Sequence, residues 1–235
     1  MSDSAQSADW DKYSDTRLLE RNRLVRPHHR KAMFVFIDFF STQPLDLEIL
    51  DVGCGGGLFL EILRDLGFTR LTGIDLAASH VERAQQKGLP VHKADAMTYA
   101  PEKAPDRVIL MDILEHSPDP GEILARVRQW LAPGGLIYVQ IPIYESLHRR
   151  LDRIVSGKTM IQQAQEQDET HIQAFTRASF LKLLYDQSLT PVLVKSWWGA
   201  IPYLKRPIAV TEWFAEKTGL FCDHIVAVVK RLKGS

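Results

Sequence analysis

The chain has 235 residues, 29 basic against 29 acidic side chains and 45% hydrophobic content, the profile of an ordinary globular sequence of one domain plus embellishment. A formal net charge of zero excludes the broad positive field of a general nucleic-acid or anionic-membrane binder. Two cysteines, Cys54 and Cys222, are too few to staple a chain this long and are expected as thiols in a reducing compartment. Met1 to Trp10 is polar and acidic where a leader peptide would be basic and then apolar. The apolar stretches Ala32 to Phe40 and Gly135 to Ile143 fall short of the ~18 residues of a membrane span, so a cytoplasmic location is expected.

From Leu47 to Ile143, short β-branched runs alternate with helical periodicity, which predicts β-α-β units and a mostly parallel sheet. Leu47 to Val52 is the first strand. A helix follows, with Leu58, Phe59, Ile62, Leu63 and Leu66 on one face and Gly67 as its stop. Arg70 to Asp75 is the second strand, Ala77 to Lys87 its helix closed by Gly88, and Pro90 to Lys93 a short third strand. Pro101 and Pro105 bracket a loop before the fourth strand, Arg107 to Asp112. The next helix is announced by Asp119 as cap, Pro120 in the first turn and Glu122 as a capping-box acid. Leu136 to Ile141 is the fifth strand. Residues 144–173 carry a basic cluster and then a glutamine-rich stretch, read as a helical insertion over the sheet edge. A helix from Thr176 to Leu184 and strands at Pro191 to Val194 and His224 to Val229 complete the pattern. Between those strands lies an aromatic-rich connection with Trp197, Trp198, Ile201, Tyr203, Trp213 and Phe214.

The loop from Asp51 to Gly57 holds four glycines where the first strand must turn into a helix. Glycine there permits positive φ and close approach of a ligand to the main chain, and the helix N-terminus attracts an anion. Asp75, ending the second strand, stands where an acid can accept from ribose hydroxyls. A phosphate-binding P-loop is excluded, because the only Gly-Lys-Thr, Gly157 to Thr159, has Asp152 in place of the leading glycine. The dinucleotide fingerprint aligns on Gly53 and Gly55 but meets Leu58 where a small residue is needed, which disfavours NAD.

The spacing Asp51-x-Gly53-x-Gly55-x-Gly57 resembles the first motif of the class I, Rossmann-like S-adenosylmethionine-dependent methyltransferases. Four further stretches resemble that family in order: Asp75 at the end of strand two, Ala94 to Ala96 after strand three, Met111 to His116 with Pro118 to Pro120, and Leu131 to Leu136. His171 to Thr176 is similar to a segment of its small-molecule members. The resemblance implies an α/β fold: a doubly wound seven-stranded sheet, mostly parallel with an antiparallel last strand, helices on both faces and an inserted helical cap. It also implies S-adenosylmethionine as cofactor and S-adenosylhomocysteine as product. Gly53, Cys54, Gly55 and Gly57, with Asp51 and Asp112, would border its methionine part. Asp75 would take the ribose hydroxyls, Leu76 would border the adenosine, Asp95 would bond the adenine amine, and Ala96 and Met97 would pack on the ring. Tyr13, within the aromatic lead-in from Trp10, would close over the cofactor.

Residues 1–235 are read as one methyltransferase domain: a lid at 1–40, a cofactor-binding core at 45–143, a substrate cap at 144–175 and a C-terminal part at 176–235 with the aromatic connection at 197–222. His116, following strand four, and His171, in the cap, are the candidate general bases. Asp112, Glu115 and His116 also invite a metal reading, since similar acid and histidine clusters serve metal-using ubiquinone-pathway O-methyltransferases. Asp112 is a shorter arm than the glutamate of those clusters, and no metal is assigned. The expected acceptor is a small molecule methylated at oxygen, a hydroxylated aromatic, quinone-like or lipid-like compound, acted on by a monomer or homodimer. RNA methylation would require the basic clusters at 17–31 and 148–158 to converge, and a catalytically silent cofactor-binding subunit is the rival from another class.

Overall fold

The computed structural model describes residues 27–197 and 222–232. Tyr13 and the lid around it, most of the basic run at 17–31, and the aromatic connection from Trp198 to Phe214 lie outside the described residues.

The described residues form fifteen elements. The first helix, α1 (Pro27–Phe40), buries Met33, Phe36, Ile37 and Phe40 at helical spacing; Phe36 meets the Tyr138 ring edge-on at 5.3 Å. Then follow β1 (Ile49–Val52), α2 (Leu58–Asp65), β2 (Leu71–Asp75), α3 (Ala78–Gln86), β3 (Val91–Lys93) and β4 (Arg107–Met111). A single 3-10 turn at Leu114–His116 leads to α4 (Pro120–Trp130) and β5 (Leu136–Pro142). The insertion forms α5 (Leu147–Ser156) and α6 (Met160–Gln167), and α7 (Arg177–Asp186), β6 (Leu189–Trp197) and β7 (His224–Arg231) end the described chain.

The seven strands form one sheet in the order β3-β2-β1-β4-β5-β7-β6. Strands β1 to β5 pair in parallel, and β7 runs antiparallel to both of its neighbours. This is the Rossmann-like doubly wound sheet with an antiparallel last strand. The central strands β1, β4 and β5 are buried almost throughout, as expected where both faces are covered. Two apolar clusters, one per face, hold the layers together: Phe36, Leu60 and Ile109 belong to one, and Leu110, Leu124 and Phe180 to the other.

Several local expectations are revised. Asp119 caps α4 by accepting from the Glu122 N–H at 2.9 Å, but Glu122 does not complete a capping box; its carboxylate reaches Arg126, one turn on, at 3.6 Å. Reciprocal boxes occur instead at Thr159 with Gln162 and at Thr176 with Ser179. Strand β6 is longer than the Pro191 to Val194 core and takes in Trp197, which the sequence assigned to the connection; Trp197 is buried and its indole stacks on His224 at 5.9 Å. Pro191 sits at a register shift on this edge strand, where its missing N–H costs no central ladder bond. The end of the insertion reaches the turn after β4, where the Ile172 and Gln173 N–H groups donate to the Glu115 carbonyl at 3.0 Å each.

Because β7 is antiparallel, its start, His224, lies beside the end of β5 at Pro142. The ends of β1, β2, β4 and β5 and the start of β7 therefore share one edge, the edge at which such sheets collect ligands.

Candidate active site

Strand β1 stops at Val52 and the chain turns on Gly53, Gly55 and Gly57, all at positive φ (67, 54 and 80°). The first and last are filled from behind: a Cβ on Gly53 would lie 2.0 Å from Ile113 Cδ1, and one on Gly57 2.3 Å from Leu89 Cδ1. At Gly55 a Cβ would meet nothing within 4 Å. The turn opens on a cavity of about 570 Å³ lined by Asp51, Gly53, Cys54, Gly55, Met111 and Asp112 among others. On its outer lip the Lys87 ammonium donates to the Gly56 carbonyl at 2.7 Å and to Glu61 Oε2 at 2.9 Å, fastening the loop to α2.

Asp51 is buried at the floor of this cavity, and its Oδ2 has no hydrogen-bond partner among the described residues. Burial, and then the charge of Asp75, push its carboxyl up to about 8. An uncompensated buried carboxyl is costly unless something charged or hydrogen-bonding arrives. The Cys54 thiol is likewise pushed up, by burial and by Asp51 and Asp75, which leaves it unreactive.

Asp75 holds the neighbouring turn. Its Oδ2 accepts from Gly55 N–H at 2.8 Å and its Oδ1 from Ala77 N–H at 2.9 Å, with His80 Nδ1 at 3.2 Å from Oδ1. The carboxylate thus shapes the loop and starts α3 at once. Leu76 is 67% exposed beside it. Asp95 is exposed and accepts from Met97 N–H at 2.8 Å, while Ala96 and Met97 pack partly buried against the core.

The second part of the site begins at the end of β4. Asp112 has φ 51°, a conformation rare outside glycine and tolerated best by Asp and Asn. Gln140 of β5 donates its Nε2 to both Asp112 oxygens at 3.3 Å, and burial, partly offset by this bond, pushes the carboxyl up to about 6. Glu115 follows, fully buried, with neither side-chain oxygen hydrogen-bonded among the described residues. Burial and then the charge of Asp112 hold it well above the usual carboxylate range.

The rings of His116 and His171 lie 4.7 Å apart. His116 Nδ1 lies 3.2 Å from the Thr170 carbonyl and 3.0 Å from its hydroxyl, and burial followed by His116 lowers the pKa of His171. Glu115, His116 and His171 each offer one donor atom, all within 4.8 Å of one another. In this group His171 takes the place that spacing assigned to Asp112. The sequence reading missed Glu61 and Lys87 on the cavity lip, Gln140 beneath Asp112, and Tyr144, which packs edge-on to His171 at a centroid distance of 6.4 Å. No local spacing signals the first two. Tyr144 was findable by position, since it follows β5 as Asp112 follows β4.

Residues 25–193 match the family model of a methyltransferase domain. The ubiquinone biosynthesis O-methyltransferase of Caulobacter sp. (strain K31) is 40% identical over 120 residues, 48% of this chain and 45% of that protein, so the match spans about half of the relative's length. The trans-aconitate 2-methyltransferase of Acidovorax sp. (strain JS42) is 28% identical over 200 residues, 80% of this chain and 75% of that protein. In fold, the chain is similar to the crystal structure of a SAM dependent methyltransferase from Archaeoglobus fulgidus, with TM-score 0.61, 21% identity and coverage of 94% and 97% of the two chains. The chain belongs to the methyltransferase-domain family, as a class I, Rossmann-like member whose cofactor is S-adenosylmethionine.

Proposed function

We propose that this protein transfers the cofactor's methyl group to an oxygen of a small acceptor, a hydroxylated aromatic, quinone-like or lipid-like compound, with His116 and His171 on the acceptor side. One observation carries the proposal: Asp112 lines the glycine-loop cavity, its charge reaches Glu115 in the 3-10 turn that follows, and Glu115 and His116 of that turn meet His171, so the chain leads directly from the cavity to a cluster able to accept a proton. The names of the relatives, which act in ubiquinone biosynthesis and on trans-aconitate, support a small molecule as acceptor. Within the basic cluster of the insertion, Arg149 is spent on Asp223 and Gln167, and Arg153 on the Tyr144 carbonyl and Gln163, which draws these two cations inward and supports a small acceptor over RNA.

Bound in the glycine-loop cavity, the cofactor supplies a methyl group already activated on a sulfonium. The residues around it have the simpler tasks of orientation, exclusion of water and proton acceptance. Gly53, Cys54, Gly55 and Gly57 admit the methionine part against the backbone; the open space at Gly55 and the orphaned Asp51 oxygen, a partner for an ammonium, are what the fit rests on. Asp75 and Leu76 are assigned to the ribose side, and Asp95, Ala96 and Met97 to the adenine. Tyr13 keeps its assignment as part of a lid. A neutral histidine Nε2 takes the acceptor's hydroxyl proton as the oxygen–carbon bond forms. We read residues 1–235 as one domain, since strands from both ends of the described chain join one sheet. No helix among the described residues is long and apolar enough to cross a membrane, and Cys54 and Cys222 are not joined in a disulfide, which fits the cytoplasmic reading.

A second reading is favoured by Glu115 alone: a buried carboxylate with both oxygens unsatisfied, beside two histidine nitrogens, is a donor set for a divalent ion. Such an ion would polarise the acceptor hydroxyl, and the histidines would then be ligands rather than bases. The test is methyl transfer from labelled S-adenosylmethionine to a panel of hydroxylated aromatics, carboxylic acids, lipid extract and RNA, run with and without chelator. Label in a small hydroxylated product supports the proposal, and loss of transfer with chelator selects the metal reading. Label in RNA alone, or S-adenosylhomocysteine binding with no transfer to any acceptor, would overturn it.

A further inference from the structure

The polar contacts behind His171 have a direction, and that direction can be deduced from which groups can only donate and which can only accept. Arg149 is held by Asp223, its Nε donating to Oδ1 at 3.1 Å, and a guanidinium has no acceptor. Its Nη2 lies 2.9 Å from Gln167 Oε1, so that atom is the amide oxygen and not the nitrogen. The Tyr144 hydroxyl lies 3.4 Å from the same Oε1. The Ala164 carbonyl, 3.2 Å from His171 Nδ1, can only accept, so Nδ1 carries the proton. Tyr144, 3.0 Å from the same nitrogen, then presents a lone pair to it, and its single hydroxyl hydrogen is left for Gln167 Oε1, which can only accept. A neutral imidazole protonated at Nδ1 has a bare Nε2.

We infer that Tyr144 and Gln167, anchored by Arg149, are positioning residues: together with the Ala164 carbonyl they hold His171 as the Nδ1–H tautomer and leave Nε2 as the nitrogen offered to the cluster with Glu115 and His116. This rests on the reading of His171 as an acceptor-side group and says how that group is kept competent. It applies whether Nε2 accepts a proton or binds a metal, because both require the bare nitrogen. The surroundings suit the role. Tyr144 is fully buried, its ring lies under the Arg149 guanidinium at 4.6 Å, and its hydroxyl has no competing water-facing geometry. His116 is set the same way by simpler means, its Nδ1 facing the Thr170 carbonyl.

The experiment is nitrogen-15 NMR of the full chain with labelled histidines, in mildly alkaline buffer where imidazole is neutral; the two ring-nitrogen shifts and their couplings to the ring protons report the tautomer directly. Wild type should show His171 protonated at Nδ1. Gln167→Met frees the tyrosine hydroxyl hydrogen to turn toward Nδ1, so an Nε2–H form should grow in at His171. Tyr144→Phe should give a smaller change, because Ala164 still accepts, and Gln167→Met added to it should do nothing more. If wild-type His171 is protonated at Nε2, or if both single variants keep the wild-type pattern, the relay is overturned. An unchanged far-ultraviolet circular dichroism spectrum and a cooperative melting transition certify that each variant is folded. Calorimetry of S-adenosylhomocysteine on the wild type is read separately: absent binding would sink the methyltransferase reading of the site, whereas normal binding with unchanged tautomers would sink the relay alone.

Discussion

The two sides of the cleft are built by opposite means. On the side proposed for the cofactor the backbone forms the site: one continuous turn, 53–57, at three positive φ values, backed by Ile113 and Leu89 and pinned by Asp75. On the side proposed for the acceptor the backbone only delivers side chains, and they come from three distant stretches, 112–116, 140–144 and 167–171. The first side offers open space and main-chain donors. The second is crowded with polar groups that burial has pushed away from their usual ionisation. A backbone site depends on what a ligand can approach, whereas a side-chain cluster depends on protonation states. Substitutions should therefore separate binding from turnover cleanly.

The largest effect on binding is expected at Gly55. Gly55→Val fills the one opening in the turn, so S-adenosylhomocysteine affinity should fall by roughly 100-fold or more, about 2.7 kcal/mol, in calorimetry. Gly134 also has positive φ, 79°, and open space around its would-be Cβ, but lies outside the cavity lining. Gly134→Val should carry a similar backbone penalty in melting temperature with affinity intact. Equal binding losses in the two variants would mean that strain, and not occupancy of the cavity, explains Gly55.

On the other side, His171→Gln should lower transfer to the acceptor found by the panel by roughly 10²- to 10⁴-fold, the usual worth of a general base, with cofactor affinity unchanged. A comparable loss of cofactor binding would erase the distinction between the two sides. Asp75→Ala should weaken cofactor binding by about 1–3 kcal/mol and also lower the melting temperature, because the Gly55 and Ala77 N–H groups lose their acceptor. An unchanged affinity would move the ribose site elsewhere.

The smallest effect is one of pH. Asp51 titrates near 8 when folded and near its ordinary value of 3.8 when unfolded, so the native state holds a proton that the unfolded chain has released. Its contribution is therefore a loss of stability as pH rises from about 4 to 8, the slope being negative wherever the folded state binds more protons. An incoming ammonium favours the ionised carboxylate, so cofactor binding near neutral pH should release up to one proton per site. The measured binding enthalpy would then vary with the ionisation enthalpy of the buffer, and the variation should vanish in Asp51→Asn. A wild-type enthalpy independent of buffer would remove Asp51 from the methionine end.

What was legible in the residues follows the same division. The glycine turn and the place of Asp75 at a strand end could be read because each is a local device: a strand must end, turn on residues that tolerate positive φ, and start a helix within a few positions; the order of the strands is tertiary. His116 and His171 were legible singly, as residues of the right chemistry near strand ends. Their meeting was not, because it depends on 168–173 reaching the turn after β4, held by two N–H bonds to the Glu115 carbonyl. Glu122 misled for a related reason, since an ion pair one turn along the helix drew its carboxylate away from the cap.

By itself, then, the sequence determined the alternation of strands and helices and the glycine turn, because short-range geometry and the periodicity of apolar residues suffice for those, while the resemblance of five motifs pointed to the family. Only the tertiary structure decided which nitrogen of His171 is bare, that Glu115 is buried without a partner among the described residues, and that Arg149 and Arg153 are tied inward rather than spread for a polyanion. These are properties of contacts between segments distant in the chain. Protonation and partner choice are set by what burial brings together, and no spacing along the chain records that.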